Sequence, residues 1–156
     1  MFDMKEITYC TSGAESLDMV KGLWEKLNEH HLKGSAYFAE YFRKMNFEKR
    51  KAALMEKAVS GELNIELAFS GDEAIGYCIS TIDEYGIGEI DSIYVLSSHR
   101  GCGIGDMLMT RSMDWLNGRK VRQKKLVVAF GNEEVFNFYM KYGLYPRYTI
   151  LMERED

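Results

Sequence analysis

One proline, Pro146, and three cysteines stand among 156 residues, and no stretch approaches the roughly 18 consecutive apolar residues that a membrane span needs. With so little proline, and no Gly/Ser/Pro-rich tract, repeat or low-complexity run, nothing divides the chain. Its length and 46% hydrophobic content imply one domain, residues 1–156, around one core. Cys10, Cys78 and Cys102 are odd in number, far apart and without a CxxC pair, which argues against a disulfide framework or a zinc cluster. Three incidental thiols and no metal are expected. The N-terminus, MFDMKEITYC, lacks the basic-then-apolar layout of a secretory signal, so a cytoplasmic location is expected. Basic residues are in deficit, 20 Lys and Arg against 24 Asp and Glu, a formal net charge of −4. That balance disfavours nucleic acid and membrane surfaces, which reward a basic footprint, and suits small or cationic ligands.

Hydrophobic periodicity supplies the elements. KEITYC, residues 5–10, alternates as a first strand. Residues 14–31 carry Leu17, Val20, Trp24 and Leu27 on one helical face, and a second helical stretch over 35–59, one helix or two, has Phe38, Phe42 and Met45 on a stripe. From Leu63 the period becomes that of strands: LNIELAFS, AIGYCISTI and GEIDSIYVL, joined by the turn signals Ser70-Gly71-Asp72 and Glu84-Tyr85-Gly86, predict an antiparallel meander. A helix from Ile104 to about Gly118, a strand KKLVVAF at 124–130, a short helix over 132–142 stopped by Gly143, and a last strand YTILM at 148–152 complete the order. The strand-helix-strand unit over residues 89–130 demands neighbouring parallel strands, so the class is α+β, or mixed α/β.

Three glycines within five positions, Gly101, Gly103 and Gly105, lie between the strand IDSIYVL and the helix that follows. A strand delivering its chain through glycines into a helix points backbone N–H groups outward at the positive end of the helix dipole, which favours an anion. Glycine adopts positive φ there without penalty and lets a phosphate approach the main chain. No Gly-Lys-Ser/Thr follows at P-loop spacing, and Asp106 stands where the dinucleotide fingerprint GxGxxG needs its third glycine. Nucleotide hydrolysis and NAD or FAD are thereby disfavoured.

What fits is Arg-x-x-Gly-x-Gly, written Arg100-Gly101-Cys102-Gly103-Ile104-Gly105, with Asn132 followed seven residues later by Tyr139 and a closing Gly143-Leu144. With these two segments the chain resembles the GNAT superfamily of acetyl-CoA-dependent N-acetyltransferases over roughly residues 75–152. The resemblance implies a central, mostly antiparallel, splayed sheet flanked by helices, with acetyl-CoA as cosubstrate in the gap. It implies that Arg100, Gly101, Cys102, Gly103, Ile104 and Gly105 wrap the pyrophosphate. Ile93, Tyr94 and Val95 would offer main-chain hydrogen bonds to the pantetheine arm. Asn132 would contact the cofactor, although it also suits a helix cap ahead of Glu133 and Glu134. Val135 and Leu144 depart from the commonest family residues, alanine and phenylalanine. Pairing of C-terminal strands, frequent in the family, raises a homodimer.

Acetyl transfer to an amine needs a base for the ammonium and an acid for the departing thiolate. Tyr139 suits the acid, since its phenol is protonated at neutral pH, and its position matches the tyrosine with this role in many family members. Glu89 and Asp91 alternate along GEIDSIYVL and so are expected to share one face with Ile93 and Val95. Glu89, eleven residues before Arg100, has the spacing at which the histone-acetylating branch of the family carries its glutamate base, acting directly or through a water. Asp83, Glu84, Glu89 and Asp91 form an acidic cluster that recruits a cationic acceptor or simply ends a hydrophilic hairpin. His30 and His31 close the first helix, where a cation complements its dipole. The Trp24, Tyr37, Phe38, Tyr41 and Phe42 group reads as core, some of it facing substrate. The expectation is therefore transfer of acetyl from acetyl-CoA to a primary amine, on a small molecule or on a protein lysine or N-terminus, in a ternary complex. The alternative is an acyl-CoA-binding sensor or interaction module on the same fold.

Overall fold

The computed structural model describes residues 6–154. Strand β1, Ile7–Ser12, leads into a 3-10 helix, Ala14–Val20, and then α1, Lys21–Gly34. The expected second helical stretch is two helices, α2, Ala39–Lys44, and α3, Phe47–Ser60. Asn46 separates them: its side chain accepts the Lys49 N–H at 2.9 Å and so caps α3. The meander is β2, Glu62–Ser70, β3, Glu73–Ile82, and β4, Ile87–Val95; α4, Ile104–Gly118, then leads to β5, Gln123–Leu126, and α5, Phe136–Met140, comes last. The sheet order is β1-β2-β3-β4-β5, antiparallel except for the parallel β4/β5 pair that α4 connects. No helix among the described residues is long and apolar enough to cross a membrane.

Both faces of β2 and β3 are covered, which is why AIGYCIS reads as a nearly continuous apolar run. Leu17, Val20, Leu23, Trp24, Phe47 and Leu54 pack on Ile65, Leu67, Tyr77 and Ile79 of one face. Ile104, Leu108, Met109 and Leu116 of α4 pack on Ala68, Ile75, Cys78 and Ile90 of the other.

Strand β4 departs from simple alternation. Ile79 pairs with Ser92 and Ser80 with Ile90, so Asp91 is an extra residue without a partner on β3. A bulge shifts the side-chain parity beyond it by one. Glu89 and Asp91 therefore share the α3 side, both reaching Lys57, while Ile93 and Val95 turn to the α4 face. This corrects the expectation that all four share a face.

The bulge also bends β4 away from its neighbour. β4 and β5 pair only from Ile87/Gln123 to Ile90/Leu126, and the expected strand 124–130 ends at Leu126. Val127 to Ala129 wall a cleft, which periodicity alone does not separate from a buried strand. The expected helix over 132–142 shrinks to a 3-10 turn, Glu133–Val135, and α5. Residues 148–152, expected as a strand, pair with no strand among the described residues, and Leu151 is 92% exposed.

Candidate functional site

The divergence of β4 from the chain after Leu126 opens a cleft of about 650 Å³. Its walls are Ile90 to Val95 on one side, Leu126 to Ala129 on the other, the glycine loop at one end and α1 and α2 at the other. Because β5 pairs only as far as Ile90, the cleft-side edge of Asp91 to Val95 has no strand beside it. Ile93, Tyr94 and Val95 thus present their wall to the cleft where a polar chain can bond to it.

At the loop end, Gly101 and Gly103 both have φ +79°, and Gly103 starts α4 in the left-handed conformation. Among the described residues no backbone hydrogen bond is made by the N–H groups of Gly101 through Asp106, and the first intrahelical bond there is Met107 N–H to the Gly103 carbonyl at 3.0 Å. Six consecutive donors without a backbone partner at a helix N-terminus fit a diphosphate. Arg100, Gly101, Gly103, Ile104 and Gly105 line the cleft; Cys102 does not, its exposed thiol lying 3.8 Å from the Arg100 carbonyl. Arg100 is held by its own Nε–H bond to the Val95 carbonyl, 3.0 Å, and by stacking over the Tyr94 ring. Asp106 is neutralised at the same place by Lys141, 2.7 Å away, and by the Tyr142 hydroxyl, which hold its carboxyl below the usual range.

Tyr139 reaches the cleft from α5, packed beside Phe138 and the apolar side of α4. Burial, with a smaller contribution from Cys78, pushes its phenol up to about 12. It is a proton donor at any pH near neutrality. Asn132 also lines the cleft, and its Oδ1 lies 3.2 Å from His30 Nε2 across it. His30 thus reaches the opposite wall, and it does not close the helix as expected, since α1 continues to Gly34 with His31 and Lys33 in its last turn. His31 is half-buried against Phe42, and burial lowers its pKa, so it is neutral near pH 7.

Two members of the expected acidic cluster, Glu89 and Asp91, are paired with lysines. Glu89 does not line the cleft; it sits between Lys57, 3.2 Å, and Lys125, 3.6 Å. Asp91 lies at the cleft wall with its carboxylate fully buried, bonded by Lys57 and by the Thr81 hydroxyl at 2.5 Å. Burial raises the Asp91 carboxyl, against the pull of Lys57 and Thr81. Asp83 accepts the N–H groups of Tyr85 and Ile87 in its own turn, each at 2.9 Å. Sequence reading missed Lys57 and Arg50, both on α3. Arg50 lines the cleft and donates from Nη2 to the Asp91 carbonyl at 3.0 Å. Their only signal was two basic residues seven apart, and so on one face, of an otherwise ordinary helix.

A family model described as the Acetyltransferase (GNAT) family matches residues 24–144, more than half the chain. Among solved structures, a GCN5-related N-acetyltransferase from Ralstonia eutropha JMP134 is similar at 18% identity and TM-score 0.76, over 95% of this chain and 98% of that one. The aminoglycoside N-acetyltransferase AAC(6')-Iy, solved with CoA, aligns at 16% identity and TM-score 0.69, over 96% and 95%. The PaiA N-acetyltransferase from Thermoplasma acidophilum, solved with coenzyme A, aligns at 19% identity and TM-score 0.67, over 88% of each chain. These likenesses establish the fold. No curated protein matches the chain.

Proposed function

The chain belongs to the acetyltransferase (GNAT) family, and from that premise we propose that it transfers acetyl from acetyl-CoA to a primary amine within a ternary complex. One observation carries the reading: a row of amide donors from Gly101 to Asp106 without backbone partners opens into the cleft that Tyr139 lines. Acetyl-CoA, when bound, supplies the thioester whose C–S bond breaks as the C–N bond to the amine forms. The loop amides bind its diphosphate, Ile93 to Val95 position its arm along the unpaired edge of β4, and Asn132 borders the same wall. Tyr139 holds its proton at the phenol oxygen and gives it to the departing sulfur. The acceptor ammonium loses its proton to water. Because Glu89 is off the cleft wall, a base role for it passes through a water relay.

We extend the proposal to one domain over residues 1–156 and to a homodimer. The exposed Tyr148, Ile150, Leu151 and Met152 support an apolar contact between copies, and light scattering at monomer mass refutes it. The test of the function is Tyr139→Phe. Coenzyme A affinity by calorimetry is expected to persist while thiol release against an amine panel falls about 100- to 10,000-fold. Unchanged turnover removes Tyr139 from the chemistry. A parent protein that binds coenzyme A but acetylates no amine is a sensor.

A further inference from the structure

The half of the cleft remote from the glycine loop is lined by Trp24, Leu27, Tyr41, Phe42, Met45 and Arg50. There apolar and aromatic side chains stand beside the Arg50 guanidinium, with Asn28, His30 and His31 on the same stretch of wall. The carboxylates along β4 have partners of their own, Asp91 in Lys57 and Thr81, Glu89 in Lys57 and Lys125. Glu134, at the opposite wall, lies 3.8 Å from His30. Arg50 has no such partner. Among the described residues no carboxylate lies within ion-pair distance of its guanidinium, whose single hydrogen bond there is to the Asp91 carbonyl.

A half-buried guanidinium beside apolar walls favours an anion, and its planar fork matches a carboxylate with two parallel N–H bonds. The bond to the Asp91 carbonyl fixes that fork at the bulge, where β4 parts from β5 and the cleft begins. A carboxylate seated there leaves an amine on the adjacent carbon inside the cleft that Trp24 and Phe42 also line. Polyamines and aminoglycosides have no anion for Arg50 and bring it like charge. The end of α1 is tied to the 129–132 segment by the Tyr37/Phe130 stack, the His30–Asn132 contact and the close approach of Gly34 to Gly131.

We propose that the acceptor is a free α-amino acid with an apolar or aromatic side chain, held through its carboxylate by Arg50. This rests on the acetyl-transfer reading and narrows it. The test compares thiol release from acetyl-CoA with leucine and phenylalanine, their carboxamides, spermidine and kanamycin, using the parent, Arg50→Met and Arg50→Lys. The free acids are expected to exceed their amides in kcat/KM by about 10- to 100-fold, the worth of a charge-assisted hydrogen-bond pair. Arg50→Met is expected to erase that preference through KM, and Arg50→Lys to keep part of it, with coenzyme A affinity unchanged in both. Amides that match the acids, a preference for spermidine or kanamycin, or a preference that survives in Arg50→Met each overturn the inference and leave acetyl transfer standing. Calorimetry of phenylalanine with the coenzyme A-loaded protein separates the two readings. Binding lost in Arg50→Met without turnover on any amine sustains the carboxylate site and ends acetyl transfer; absence of both ends the carboxylate site as well.

Discussion

Burial decides what Tyr139 can do. With its phenol pushed up to about 12, it keeps its proton throughout the range in which amines titrate. The value of kcat/KM is expected to rise with pH as the acceptor ammonium deprotonates, with no alkaline fall due to Tyr139 below about pH 10. A pH–rate profile from 6 to 10 in the parent and in Tyr139→Phe checks this, and a fall in that range present only in the parent contradicts it. Glu89 is the contrasting case. Its carboxylate answers Lys57 and Lys125, so Glu89→Gln is expected to keep kcat within about 10-fold of the parent. A loss of about 1,000-fold would instead make it the base.

Between elements, the α3/β4 contact turns on Lys57, whose ammonium answers a fully buried Asp91 carboxylate. Desolvation works against the Lys57 charge, but the hydrogen bonds and charges of Asp91 and Glu89 outweigh it and raise its pKa. Lys57→Met strands the Asp91 charge and is expected to cost about 3 kcal/mol at pH 7. The sign of the pH dependence follows from Asp91. Its folded pKa already lies above the ordinary value because of burial, and losing Lys57 removes a group that lowers it. The folded variant then binds a proton that the unfolded chain releases, so stability is greatest at low pH and is lost as pH rises through the raised pKa. The deficit is expected to shrink between pH 7 and pH 5. Urea unfolding at both pH values tests this, and an unchanged deficit assigns the loss to packing of the lysine stem. The α4/β2 contact is built the same way, with Arg111 2.7 Å from buried Glu66.

Across the whole molecule, the cleft is held by two walls that touch at one end. Gly131 has φ +99°, and a Cβ on it would stand 2.4 Å from the Gly34 carbonyl oxygen. Gly131→Ala is therefore expected to cost about 1 to 3 kcal/mol and to part the end of α1 from the 129–132 segment. Acceptor KM should rise while coenzyme A affinity, set at the opposite end, stays unchanged. Kinetics with calorimetry measure both, and an equal loss of the two would mean that the walls move as one body.

The sequence by itself determined the meander, α4 and the glycine loop, because period-2 and period-3.6 patterns and positive-φ glycines are local properties of consecutive residues. It also determined the Asn132 and Tyr139 spacing. Only the tertiary structure decided that one extra residue at Asp91 flips the faces of β4 and splits the sheet, since a bulge shows only in the register against β3. The same holds for the partners of the charges. Nothing in the spacing of Lys57, Glu89 and Lys125 says that they meet, or that no carboxylate among the described residues pairs with Arg50. Ion pairing is set by where distant elements pack, and that packing pairs the acids of an acidic-looking strand with lysines and sets Arg50 beside it.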